Sequence, residues 1–350
     1  MKPLWTFTPL DTQPDEKALA QIENCMEDER AVAGALMADH HLGYSMPIGG
    51  VIAYDGAVSP SGVGYDIACG NMAVQTTLKA SDLTPGGALG SAKQAYEDIK
   101  PIMREIQKSI AFGVGRRNAN PVDHALFDND LWPEIEDMSP GLKEKAQAQL
   151  GTVGSGNHYV DILLDEDDYV WVANHFGSRG FGHTIATLFL DQGDSEAPTV
   201  LDLHTNRGAL YFACMNLAGE YAYAGREHVM QQVLGIIGNP KVTKSVHNHH
   251  NFAWEENGHI IVRKGATPLT RAAAFIGGSM GDVSMIVRGK NHPVSTATET
   301  FPLDIGALGS APHGAGRIMS RTKAAGKMKK VTLESGKRVR MRDKSTAAID

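Results

Sequence analysis

Apolar residues recur at helical spacing in three stretches of this chain. From Asp15 to Met26, Leu19, Ile22 and Met26 share one face and predict a helix. From Ser91 to Ile110 the spacing is again helical, with a kink expected at Pro101, because proline lacks an amide donor and crowds the preceding turn. From Arg207 to Leu234 a long helix is expected, with Leu210, Cys214, Leu217 and Tyr221 on one stripe. Ser139 and Pro140 suit the N-cap and first position of a further helix running to Leu150. Strands are expected at Val170 to Phe176, His259 to Arg263 and Ser284 to Arg288. Gly43 to Ala73 mixes Gly, Pro and Ser with short apolar runs, and predicts strands joined by tight loops. Strands and helices mix without a regular strand–helix–strand rhythm or an internal repeat. The pattern therefore predicts one α+β domain over residues 1–350, with central β-sheets surrounded by helices.

Composition narrows the class. Apolar residues make up 42% and charged residues 21%, as in an ordinary globular protein. There is no apolar run of about 18 residues, so no membrane span is expected. The opening MKPLWTFTPLDTQPDEK lacks the apolar stretch of a secretory signal. Three cysteines do not make a disulfide framework, and a reducing, cytoplasmic setting is expected. A net charge of -7 does not announce a nucleic-acid binder, but the total hides an uneven distribution. In the basic C-terminal segment 317–350, the stretch from Arg317 to Lys344 carries eleven Lys and Arg against only Glu334 and Asp343. That run is either a solvated tail or a phosphate-facing edge.

The candidate chemistry lies in glycine-rich loops. One of the three cysteines, Cys69, stands three residues after Asp66 in GVGYDIACGN. His158 lies in GTVGSGNHYVDI, His175 in VANHFGSRGFGH, and His247, His249 and His250 in HNHHNF. His40 and His41 lie in ADHHLGY, and His313 in PHGAGR. Asp, Cys and His together are a ligand set for borderline divalent metals such as Zn, Mn or Co, and one thiolate can bridge two ions. The segments GSMGD and HGAGR can turn backbone N–H groups toward phosphate oxygens. A histidine beside such a cradle and a metal can attack phosphorus, with Arg317 neutralising the developing charge. The plainer readings are core or satisfied polar roles for Cys25, Cys214, His124, His204 and His228, and surface ion pairs for Arg179, Arg263 and Arg317.

Taken together, the segments ADHHLGYSMPIGGVIAYDGAVSPSGVGYDIACGNMAV, LGTVGSGNHYVDI, HFGSRGFGH, HHNFAWEE, VRKGAT, GSMGDVSMIVRG and HGAGRIMSRTKA resemble the RtcB-type RNA ligase family, in the family's order from about residue 37 to 325. The resemblance implies a single α+β domain and two divalent ions, usually Mn, held by Asp66, Cys69, His158, His175 and His250, with Cys69 bridging. It implies that His313 attacks the α-phosphate of GTP and that Asp39 orients this histidine. GMP then passes to an RNA 3′-phosphate, and a 5′-hydroxyl attacks and releases GMP; a 2′,3′-cyclic phosphate is first opened. Asn157, Tyr159, Asp161, Asn251, Gly314, Ala315, Gly316 and Arg317 match nucleotide-contacting positions, and Arg179 and Arg263 match phosphate- or RNA-binding ones. The implied partners are GTP and RNA with those ends, for a cytoplasmic protein, expected to be a monomer, in tRNA splicing or RNA repair.

The chain departs from the family pattern at several points. Ala68 stands where Gly is usual, Asp161 where the longer Glu is usual, and Phe176 where a small polar residue follows the histidine. Pro312 directly precedes His313, and the chain ends KSTAAID where family members usually reach a lysine that contacts guanine. Looser selectivity among nucleotides is the expectation from Asp161 and that end. Two other functions share part of the pattern: a dinuclear metal phosphoesterase, which needs no nucleophilic histidine, and an RNA-end binding or capping protein that has lost sealing.

Overall fold

The structure is a computed structural model that describes residues 2–9, 12–83, 92–190, 198–269, 273–278, 282–289, 307–314, 328–332 and 338–342, with 92–97 and the last two segments described by backbone alone. The chain forms two compact units, Met1–Ala315 and Gly316–Asp350. In the second, the described backbone is one antiparallel pair, Met328–Thr332 with Arg338–Arg342. The side chains of the basic run, the residues Ala315, Gly316 and Arg317, and the centre of GSMGD lie outside the described residues.

Two sheets dominate the first unit. One has five strands in the order Leu4–Thr6, Ala31–His41, Ile48–Tyr54, His259–Lys264 and Asn251–Glu256, parallel at the first pair and antiparallel elsewhere. The other has four antiparallel strands in the order Tyr159–Leu164, Tyr169–Phe176, Gly70–Lys79 and Val242–His249. The α+β expectation agrees with this architecture. His250 is the single residue between the edge strand Val242–His249 of one sheet and the edge strand Asn251–Glu256 of the other. The largest core cluster joins Ile52 and Val262 of the five-stranded sheet to Phe181 and Tyr221 on helices. A second cluster packs Val74 and Val172 of the four-stranded sheet against Ile106 and Val229.

The expected helices form where the apolar stripes lie. Glu16–Met26 is capped by Asp15, whose carboxylate accepts from the amides of Lys17 and Ala18 at 2.9 and 3.0 Å, and it buries Ile22 and Cys25. Ala92–Ser109 contains Pro101. Asn206–Ile236 is capped by the Thr205 hydroxyl and buries Cys214, Leu217 and Tyr221. The start expected at Ser139 is corrected. Ser139 closes the preceding helix Trp132–Met138, and the next helix begins at Leu142 with Gly141 as its N-cap. The reason is Glu136, whose carboxylate accepts from the amides of Gly141 and Lys143 at 2.9 and 2.6 Å and so caps the helix from outside it. The strand Ala31–His41 escaped the period-2 pattern because its run from Ala33 to Met37 is buried on both faces.

Lys264 is 5% exposed, and its ammonium donates to the carbonyls of Tyr44 at 2.6 Å and Ser61 at 3.0 Å. Burial pushes its pKa down to about 8. Between that value and an unfolded lysine near 10.4, the unfolded chain binds the extra proton, so Lys264 makes stability rise with pH in this window. Urea unfolding at pH 7.5 and 9.5 should show the rise in the parent chain, and a smaller one in Lys264→Met.

Candidate active site

The four-stranded sheet gathers the candidate donors at one edge. Its antiparallel register sets Gly70 opposite both Phe176 and His249, and Tyr159 opposite His175. Starts of two strands and ends of two others therefore share that edge, which brings together Cys69, His158, His175 and His250. The loop before Gly70 is pinned there. Ala68 donates its amide to Asn251 O at 2.7 Å, and the amides of His250 and Asn251 donate to Cys69 O at 2.8 and 3.3 Å. Ala68 sits at a φ of 60°, in the left-handed region where glycine is unstrained. The alanine costs roughly 1–2 kcal/mol of backbone strain there.

Two groups of donors form, and they share one atom. Cys69, His175 and His250 make one group, and Asp66, Cys69 and His158 the other, with the donor atoms in each within 4.8 Å of one another. Cys69 Sγ lies 3.4 Å from His175 Nε2 and 3.6 Å from His158 Nε2, and His158 Nε2 lies 2.9 Å from Asp66 Oδ2. Burial, and after it neighbouring imidazoles, pushes His175 and His250 well below the usual imidazole range, so both are neutral bases. Burial pushes Asp66 up, but the hydrogen bond and charge of His158 prevail and hold its carboxyl at about 2. Burial and then Asp66 push the Cys69 thiol well above its usual range, so its ionisation calls for a cation. The nitrogens His158 Nδ1 and His250 Nδ1 are buried without a hydrogen-bond partner. A soft thiol, a carboxylate and neutral imidazoles in two groups fit two borderline divalent ions with the thiolate between them.

A second layer fixes the first. Asn71 donates its amide N–H to Phe275 O at 3.1 Å, so its Oδ1 accepts from His175 Nδ1 at 2.7 Å. This sets the His175 tautomer and leaves the Nε2 lone pair toward Cys69. Asn71→Ala is expected to weaken divalent-metal binding about 10–100-fold while the fold survives, as read by calorimetric titration. Arg226, fully buried on the long helix, donates to Ala68 O at 3.0 Å, Phe176 O at 2.7 Å and His247 Nε2 at 2.9 Å, and contacts His249 Nδ1 at 2.9 Å. Burial lowers its pKa to about 10, so it remains a cation behind Cys69. Arg226→Met removes the guanidinium from all of these acceptors at once and should cost about 2–5 kcal/mol in urea unfolding. Neither residue was singled out from the sequence. Asn71 ends the stretch GVGYDIACGN, and Arg226 interrupts the buried stripe Ala222, Val229 and Val233, which was the available signal.

His313 follows the short strand Ser310–Pro312, which pairs with Ala266–Pro268 after the strand His259–Lys264. Asp39 lies near the end of Ala31–His41. His313 Nδ1 is 2.7 Å from Asp39 Oδ2, and the same oxygen accepts from the amides of His313 and Gly314 at 3.0 and 3.2 Å. The His313 ring lies 4.9 Å from that of His250, and the His250 ring 4.9 Å from that of His175. The Asp39–His313 pair therefore stands one ring away from the donor groups.

The other expected residues divide. Asn157 Nδ2 lies 3.3 Å from His175 Nε2, and Tyr159 stacks on His175 at 5.2 Å. Asp161 is partly buried, which pushes its pKa up. Arg179 donates to Thr152 Oγ1 at 3.2 Å and Gly113 O at 3.3 Å, and a Cβ on Gly154 would collide with both Arg179 Nη1 and His158 Nδ1. This guanidinium thus borders the donor groups. Asn251 has both ends of its amide engaged internally, with Asp66 O at 3.3 Å and Gly265 N at 2.7 Å, so it staples loops together. Arg263 is a correction to its expected phosphate or RNA role. It is fully buried, forms a bidentate pair with Glu256 at 2.6 and 3.0 Å, and bonds Ser310 Oγ and Leu308 O, because the strand that carries it turns this side chain into the core. His247 serves Arg226 and is not in the donor groups, whereas His250 is. Cys25 and Cys214 are buried thiols, each pushed up to about 12 by burial, and are inert core residues.

Among the described residues, no helix is long and apolar enough to cross a membrane. A model of the family described as tRNA-splicing ligase RtcB matches residues 21–349. The RNA-splicing ligase RtcB of Escherichia coli (strain K12) is 33% identical over 327 residues, covering 83% of this chain and 75% of that protein. The tRNA-splicing ligase RtcB of Archaeoglobus fulgidus is 28% identical over 386 residues, covering 85% and 75%. The RNA-splicing ligase RtcB homolog 1 of Entamoeba histolytica is 27% identical over 415 residues, covering 92% and 74%. A match over nearly the whole length, on a chain whose cysteine, histidines and carboxylates converge at one sheet edge, means that this chain belongs to the RtcB family.

Proposed function

We propose that this chain is an RNA ligase joining 3′-phosphate or 2′,3′-cyclic phosphate ends to 5′-hydroxyl ends, with GTP as the nucleotide. The observation that carries the reading is the Asp39–His313 pair, 2.7 Å apart, standing beside two donor groups that share Cys69. Asp66, Cys69, His158, His175 and His250 would hold two divalent ions, with manganese the expected metal. When bound, these supply Lewis-acid neutralisation of phosphate charge.

The Asp39 carboxylate, 2.7 Å from His313 Nδ1, favours the tautomer with the proton on Nδ1, which leaves the Nε2 lone pair as nucleophile. Nε2 attacks the α-phosphorus of GTP, a P–N bond forms, and the bond to pyrophosphate breaks. The carboxylate of Asp39 balances the positive charge that the ring then acquires. GMP passes from His313 to an oxygen of the RNA 3′-phosphate, which regenerates the free ring. The 5′-hydroxyl attacks the activated phosphorus, loses its proton and displaces GMP, leaving a 3′,5′-phosphodiester. Arg179 steadies phosphate charge beside His158. Asn157, Tyr159, Asp161 and Gly314 hold the nucleotide. The names of the similar ligases support RNA splicing as the use, and a cytoplasmic monomer is the form in which we propose that the chain acts.

The test is incubation of the chain with α-labelled GTP and manganese, followed by peptide mapping. The expected result is a label on His313 that is lost in acid and kept in base. Phosphoester hydrolysis without a label is what a dinuclear phosphoesterase would give, and end binding without a label is what a capping protein would give. A label on a lysine or another histidine sinks the mechanism.

A further inference from the structure

Tyr44, Tyr65 and His183 form a surface cluster of rings that the proposed chemistry does not use. Tyr44 is 80% exposed and Tyr65 41%. Tyr65 stacks on His183 with ring centroids 5.2 Å apart and an interplanar angle of 28°. Tyr44 meets Tyr65 edge-on at 6.3 Å and 88°. The first two rings come from separate loops and the third from the helix Arg179–Phe189, so sequence neighbourhood does not explain their meeting.

Large rings held in water cost apolar hydration, yet here the backbone that carries Tyr44 is tied down by polar groups. The Lys264 ammonium donates to Tyr44 O, as does the amide of Met46 at 2.6 Å. The Gln21 side chain both donates to Gly43 O at 2.8 Å and accepts from Gly43 N at 3.0 Å. Ser45 holds a φ of 55°. Tyr65 directly precedes Asp66, and His183 lies one helical turn beyond Arg179, so two of the three rings are tied to the donor groups and to the phosphate-steadying guanidinium by short stretches of backbone.

We propose that Tyr44, Tyr65 and His183 are a stacking platform for the unpaired terminal bases of an RNA strand whose end lies at the metal site. This rests on the ligase reading for the identity of the strand. Exposed aromatic faces take any base by its π-face, without reading hydrogen-bond edges. A ligase that joins ends of varied sequence needs that kind of grip beside its reacting phosphate. The pinned backbone at Tyr44 and the stack of Tyr65 on His183 keep the rings in place before the strand arrives, which lowers the ordering cost of binding.

The experiment uses the full chain with manganese and a single-stranded RNA carrying a 3′-phosphate and 2-aminopurine at its last base, whose fluorescence falls on stacking. Wild type should quench the probe. Tyr44→Ala and His183→Ala should each bind roughly tenfold or more weakly and lose part of the quench, whereas Tyr44→Phe keeps both. Manganese content and melting temperature report whether each variant remains folded, and neither substituted residue belongs to the donor groups. Unchanged affinity and quench in the Tyr44→Ala, His183→Ala double variant would overturn the platform, as would weaker binding with the quench intact or no binding by wild type. Self-association that Tyr44→Ala abolishes would assign the rings to a second copy of this chain instead. Quenching through these rings by a chain that never labels His313 would leave the platform standing and sink the ligase mechanism. Labelling of His313 with no quench would do the reverse.

Discussion

His313→Ala should abolish transfer of GMP to the protein and every sealing step that depends on it, while leaving manganese content unchanged. The imidazole is the one protein group the proposal asks to form a bond to phosphorus, and alanine offers no substitute nitrogen. The ring lies outside both donor groups, so its loss removes none of their donor atoms. Asp39→Asn separates charge balance from nucleophilicity. Asp39 Oδ2 meets His313 Nδ1 and also accepts from the amides of His313 and Gly314. An asparagine can keep its amide oxygen toward the two amides and Nδ1 but carries no charge to balance the cationic ring formed on attack, and labelling should slow by roughly 10²–10⁴-fold. Single-turnover labelling at saturating GTP measures both effects. A His313→Ala protein that still labels, or an Asp39→Asn protein that labels at the parent rate, contradicts the assignment.

Cys69→Ala is expected to have an effect of similar size by another route. Cys69 is the one donor common to both groups, and it lies 3.4 Å from His175 Nε2 and 3.6 Å from His158 Nε2. Removing the thiol takes one ligand from each group at once and leaves Asp66 with no thiolate beside it. Manganese content, measured by elemental analysis after dialysis, should fall for both ions, and labelling of His313 should fall with it. The fold should persist, because Cys69 fixes its loop through backbone groups: its carbonyl accepts from the amides of His250 and Asn251, and alanine keeps that carbonyl. Full manganese content in Cys69→Ala would remove the bridge from the mechanism. Asn71→Ala supplies the graded comparison, since it removes the acceptor that orients His175 and takes no donor atom from either group.

The amino-acid sequence alone determined the local and the chemical parts of this protein. Helical stripes announced Glu16–Met26, Ala92–Ser109 and Asn206–Ile236, because a 3.6-residue period is a property of the segment itself. The unusual loops announced the residue types of a metal and nucleotide site, and with them the family. Tertiary structure decided the rest, because the deciding partners lie outside the segment that each pattern describes. Glu136 moved a helix start by reaching across a turn, and burial on both faces hid the strand Ala31–His41 from any alternation. Arg263 and Arg179 look alike as exposed basic residues in the sequence. Only the fold turns Arg263 into the core against Glu256 and leaves Arg179 beside His158. The sharing of Cys69 between two donor groups likewise follows from the antiparallel register that sets Gly70 opposite both Phe176 and His249. Register depends on which strands pair, and neither the buried guanidinium of Arg226 nor the ring cluster at Tyr65 exists until they do.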